Sequence, residues 1–133
     1  MIQRCALPDP PSAPDATSIS SEARRAALLH ELGILDSGPE PEFDGLTLAA
    51  SLVTGCPIAM VSLLDGGRQW FKSHHGLKAT QTPIASSFCA RAVRQPHLLE
   101  INDTLLDPQF AENPLVTGEP GIRFYAGDRK SVV

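Results

Sequence analysis

Three cysteines, two adjacent histidines and a scatter of aspartates are the residues of this chain best suited to chemistry. Cys89 is the best-placed nucleophile. It lies in Ser86-Ser87-Phe88-Cys89-Ala90, where either serine reads as the cap of a short helix. A thiol near a helix start is acidified by the helix dipole. Its companions Cys5 and Cys56 are distant in sequence, and no Cys-x-x-Cys pair offers redox exchange or a metal site. An odd number of cysteines, with no apolar leader behind Arg4, fits free thiols in a reducing cytoplasm. His74 and His75 invite a metal reading, but neighbouring strand residues point to opposite faces and do not readily share one ion. Asp65, Asp103 and Asp107 stand at turn or cap positions, and no Ser/His/Asp or Cys/His order reads as a triad. Thr117-Gly118-Glu119-Pro120-Gly121 lacks the lysine and spacing of a phosphate-binding loop. No catalytic or metal constellation emerges, and the chain is expected not to be an enzyme.

Composition narrows the partners. A chain of 133 residues holds one domain with a modest core. Its net charge of −4 and lack of a basic patch give nucleic acid no electrostatic footing. No apolar run approaches bilayer length, so no membrane segment is expected here.

The elements that must position these residues centre on Pro57–Leu77. Ile58 to Leu64 is apolar at successive positions, too short for a helix, and reads as a strand buried on both faces. Asp65-Gly66-Gly67-Arg68 is a tight-turn signal. Arg68 to His75 mixes Trp70 and Phe71 with charged residues and reads as a half-exposed edge strand.

Before the hairpin, residues 1–19 are proline-rich and are expected to be a disordered tail. Ser20 or Ser21 is expected to cap a helix ending at Gly33. Pro41 is placed as the first residue of a second helix ending at Gly55, with Phe43, Leu46, Ala50 and Val53 on its apolar stripe. After the hairpin, Lys78 to Ala85 reads as a polar loop, followed by the helix around Cys89. His97–Asp103 reads as a strand with Leu99 and Ile101 on one face. Pro108–Glu112 reads as a short helix around Phe110, broken at Asn113-Pro114. Ile122–Ala126 reads as a last strand with Ile122, Phe124 and Ala126 on one face.

In this order, Glu42-Phe43-Asp44 with Leu46, Pro57 to Asp65, Arg68 to Ser73, Ser87-Phe88-Cys89-Ala90, Asp107-Pro108 with Phe110, Asn113 to Val116 and Ile122 to Gly127 together resemble a GAF domain. The nearest likeness is to the N-terminal GAF domains of bacterial sensor histidine kinases and diguanylate cyclases, and it runs from about Leu28 to Gly127. The resemblance implies an α+β fold, an antiparallel sheet with helices packed on it. It also implies a cytoplasmic sensory module that binds a small molecule, or pairs with a second copy, to control an attached output domain. By position it implies a ligand pocket at Phe88, Cys89, Ile101, Asp103, Arg123 and Tyr125, mostly apolar with Arg123 or Asp103 as a polar anchor. The opposing reading makes Phe88 and Ile101 core and leaves Arg123 solvated. Some relatives attach a bilin through a cysteine or use cysteines in redox exchange. This sequence lacks the Cys-His pair of the former and a second placed cysteine for the latter. No cofactor is required. The rival functions are a thiol-based redox module working through Cys89 and a ligand-free interaction domain.

The family pattern continues past Gly127 into a strand lying between those that match Pro57–Asp65 and Ile122–Ala126, and then into a closing helix. Here residues 128–133 read Asp-Arg-Lys-Ser-Val-Val. They are expected to be a non-native tail of the kind produced by read-through into a sequencing adapter, leaving residues 20–127 as a partial domain. Two strands would then lack a neighbour, and the isolated chain is expected to be marginally stable or prone to associate through open edges.

Overall fold

The computed structural model describes residues 16–129, with side chains from Ser21 onward. The expected tail before residue 16 and the last four residues of the expected non-native terminus lie outside that range. Helix α1 spans Ala16–Glu31, so it starts four residues before the earlier of the two serines expected to cap it. No proline follows Pro14 in this stretch, and nothing in the sequence blocks the helix from extending back. Gly33 closes it with a left-handed φ of 62°.

Helix α2 spans Pro41–Thr54, with Pro41 at its start and Gly55 left-handed at its end, as expected. Its orientation is not the expected one. Thr47 is buried, and Phe43 and Ser51 beside it are half-buried, whereas Leu46 is 61% and Val53 87% exposed. The contact that turns the helix this way is polar. The Thr47 hydroxyl lies 2.9 Å from that of Ser73, which in turn donates to Asp44 at 2.6 Å.

Strands β1 (Ala59–Asp65), β2 (Arg68–His75) and β3 (Gln81–Pro83) form one antiparallel sheet in that order. The hairpin stands where the sequence put it, but the roles of its strands are reversed. β2 is central and buried from Gln69 to Ser73, while β1 is an edge and mostly half-buried. The cause is β3, three residues of the expected polar loop. Trp70 and Gln81, Gln69 and Thr82, and Arg68 and Pro83 pair across β2 and β3. Pro83 sits at the outer strand, where its missing N–H costs no ladder bond.

A second, two-stranded sheet pairs β4 (Leu99–Ile101) with β5 (Tyr125–Gly127). Among the described residues this sheet does not join the first. Helix α3 spans Cys89–Ala92 and α4 Pro114–Thr117. Pro114 was expected to break a helix and instead begins one, capped by the Asn113 side chain accepting from the Leu115 N–H at 2.9 Å. The expected helix at Pro108–Glu112 is only a turn, fixed by Asp107 accepting from Gln109. β5 also shows the opposite face to the one expected: Tyr125 packs inward, while Phe124 is 44% exposed. The α+β fold stands. Phe88, Ile101, Phe110 and Val116 form one buried hydrophobic cluster, and Leu64, Trp70, Phe71 and Ala92 are buried besides.

Candidate functional site

Of the six residues expected to line a pocket, four meet. Phe88 stacks on Phe110 at 4.5 Å between ring centres and on Tyr125 at 5.1 Å. Ile101 belongs to the same buried cluster. The Tyr125 hydroxyl donates to Cys89 Sγ at 3.4 Å. Burial, together with the neighbouring thiol, pushes the Tyr125 phenol well above its ordinary range. These four side chains fill the space between α3 and β5 with one another.

The two expected polar anchors stand apart. Asp103 is exposed and its carboxylate accepts from the Leu105 N–H at 3.0 Å, a local turn bond. Arg123 is exposed and donates to the Val116 carbonyl at 2.9 Å and the Ile122 carbonyl at 3.2 Å. Asp103 serves the backbone of its own loop, and Arg123 ties the segment before β5 to α4. A buried polar relay positions the cluster instead. The Gln69 amide donates to Ser62 at 3.1 Å, and its carbonyl accepts from Ser87. Ser87 also accepts from the Ala90 N–H at 3.0 Å, so of the two serines expected as the cap it is Ser87 that bonds into α3, and it also ties that helix to β2.

An open cleft lies elsewhere among the described residues. A cleft of about 660 Å³ runs beside β2, lined in part by Asp36, Asp44, Trp70, Phe71, Lys72 and His75, and by none of the six expected residues. A β-bulge builds it. Val61 pairs with Ser73 and Ser62 with Phe71, so Lys72 has no partner across the strand. The extra residue puts Lys72 and Ser73 on one face, toward α2. It carries His74 to the other face, where its ring meets Phe71 at 6.0 Å. The Lys72 ammonium is enclosed, and its three protons have three acceptors: Ser37 Oγ at 2.7 Å, the Gly38 carbonyl at 2.8 Å and Glu40 at 2.6 Å. It also lies 5.5 Å from the Phe43 ring centre. Arg68 grips the same connector, donating to both Asp36 carboxylate oxygens at 2.9 and 2.8 Å while reaching Asp65 at 3.2 Å. Asp36 is thereby held below the ordinary carboxylate range by the guanidinium beside it.

Sequence reasoning passed over Lys72. The available signal was Trp70-Phe71-Lys72-Ser73, where two adjacent aromatics break the two-residue alternation of a strand. Among the described residues no group of three or more His, Cys, Asp or Glu gathers at a metal-binding distance. Nor, among them, is any helix long and apolar enough to cross a membrane.

No family model matches the chain. Over 106 residues, 80% of its length, it is 45% identical to a cyclic di-GMP phosphodiesterase of Pseudomonas aeruginosa. The chain spans about 18% of the length of that relative. The match corrects one expectation: the chain was expected not to be an enzyme, and the protein to which it is 45% identical is named an enzyme.

Proposed function

We propose that this chain is a GAF-like regulatory segment of a cyclic di-GMP phosphodiesterase, within signal transduction by that nucleotide. The observation carrying the reading is the 45% identity over 80% of the chain to such an enzyme, of which the chain corresponds to only 18%. A segment of this size acts on the reaction by biasing the conformation of the rest, and it does so only as far as its own two states differ in energy. The fastened connector between α1 and α2 supports the reading. Lys72 and Arg68 hold residues 36–40 to β2, so a movement of α1 is resisted at the sheet. In this reading the output domain is a phosphodiesterase, which the sequence alone did not name among its candidates.

The test is cyclic di-GMP hydrolysis by the full-length gene product, with and without residues 16–127. Deletion is expected to change the rate about 5-fold or more, the lower end of ordinary allosteric coupling. An unchanged rate would overturn the regulatory assignment, and so would hydrolysis by the 133-residue chain alone.

A further inference from the structure

We infer that α1 is a releasable arm: it swings from the sheet as one helix about Gly33, while the connector beyond Gly33 stays fixed to β2. The swing supplies the moving part of the regulatory function proposed above, and it rests on that reading for its use.

α1 is lightly seated. Of its described side chains, residues 21–31, none is buried, and Arg25, Ala26 and Leu29 alone are half-buried. Leu28 is 50% exposed. So little covered apolar surface gives the helix a weak hold on the sheet. The helix itself is continuous. No glycine or proline interrupts Ala16–Glu31, and Arg25 pairs with Glu22 on the turn before it. A loss of its seat therefore carries it as a unit.

The polar ties along α1 are exposed. His30 lies 3.1 Å from one oxygen of Asp65, and its side chain is 65% open to solvent. The other Asp65 oxygen meets Arg68 at 3.2 Å. Farther back, the charge of the exposed Arg94 reaches Glu22. Ties of this kind are screened by salt.

The connector is held in another way. The fully enclosed Lys72 side chain grips Ser37, Gly38 and Glu40, and charges so placed are screened much less. Ser37 also donates to the Ile34 carbonyl at 2.6 Å, which closes the turn between them. Within that turn Asp36 has a φ of 57°, the positive value found for no other non-glycine residue among those described. Both its carboxylate oxygens are held by Arg68, so the strained backbone is pinned. Between the pinned turn and the lightly seated helix stands Gly33, left-handed at 62°. A Cβ built there meets nothing within 4 Å, so no packed group opposes rotation at this residue.

The experiment measures distances rather than hydrolysis. In the full chain with Cys5, Cys56 and Cys89 replaced by serine, spin labels at Arg24→Cys and Lys78→Cys report α1 against the sheet. Labels at Pro39→Cys and Lys78→Cys report the connector against the sheet. The first pair is expected to give two distances. The longer component should grow at least 2-fold as sodium chloride rises from about 0.01 to 1 M, where the Debye length falls from about 30 to about 3 Å. His30→Ala at low salt should enlarge it about 2- to 5-fold, the range for an exposed polar pair. Gly33→Ala should enlarge it too, because alanine is strained at this φ. The second pair is expected to keep one distance throughout. Three results would overturn the inference: a single α1 distance under all conditions, a longer component indifferent to salt and to both variants, or a connector that moves with the helix. Each would leave the regulatory assignment standing, just as an unchanged hydrolysis rate on deletion would remove that assignment and leave the swing.

Discussion

The Tyr125 hydroxyl donates to the Cys89 sulfur at 3.4 Å, joining the last strand to the short helix α3. Burial and the adjacent thiol raise the phenol's pKa in the folded chain above that of the unfolded one. A group whose pKa is raised by folding contributes stability that is present below its unfolded value, about 10 for tyrosine, and is lost as pH climbs above it. The chain contains a single tyrosine, so tyrosinate absorbance reports this residue alone. Ionisation is expected together with unfolding, well above pH 10, in one steep transition. A gentle titration near pH 10 with Trp70 fluorescence unchanged would contradict it.

Lys72→Met should destabilise the chain by about 2–3 kcal/mol. It keeps most of the buried stem but leaves Ser37, Gly38 and Glu40 without their shared donor, and charged hydrogen bonds of this kind contribute roughly 1.5–3 kcal/mol. Urea unfolding followed at Trp70, the only tryptophan, measures it. A midpoint within error of the parent would show that the connector is not held through this ammonium.

Gly76→Ala should be at least as damaging. Gly76 has a φ of 73°, and a Cβ there would lie 1.9 Å from the Pro57 carbonyl oxygen, a backbone atom with no side chain to swing away. Left-handed strain alone costs on the order of 1–3 kcal/mol, and the clash adds to it. The check is the yield of soluble, cooperatively unfolding protein. A variant as stable as the parent would mean the start of β1 can shift freely.

Asp36 and Arg68 give an acid dependence with a defined sign. The Asp36 carboxyl is depressed by folding, so its contribution is present above the unfolded value near 4 and is lost as pH falls through the lower folded value. Because the pair is exposed, raising the salt concentration should weaken it as acid does. Thermal melts of the parent and of Arg68→Gln, compared from pH 6 down to pH 3, are expected to converge at the acid end. Parallel curves throughout would remove the pair from the acid response.

The elements themselves were largely legible in the sequence, because turn and cap chemistry is local. Pro41, Gly33, Gly55 and Ser87 each act where their residue type predicts. What local pattern could not decide was which neighbour each strand would have. Ile58–Leu64 is apolar enough for a central strand, yet among the described residues β1 pairs only with β2, and it is β2 that gains two neighbours because Gln81–Pro83 joins its other side. α2 misled for a related reason. Its leucines and valine form a fair stripe, yet a hydroxyl pair, Thr47 and Ser73, sets the side that meets the sheet. Four of the six residues expected at a pocket meet around Phe88, where their side chains pack on one another, while Asp103 and Arg123 stand apart. Whether aromatic rings line a space or fill it depends on packing distances that spacing along a chain does not carry.

The bulge at Lys72 makes one position in the gene unlike its neighbours. Lys72 is the residue of β2 with no opposite number, so an in-frame loss of that single codon would bring the hairpin into unbroken alternation. The sheet would keep its β1–β2 ladder, while the deletion would carry the same loss of charged hydrogen bonds as Lys72→Met, roughly 1.5–3 kcal/mol. What would vanish is the Lys72 tether to residues 37–40, leaving Arg68 at Asp36 and His30 at Asp65 to hold α1 and its connector to the sheet.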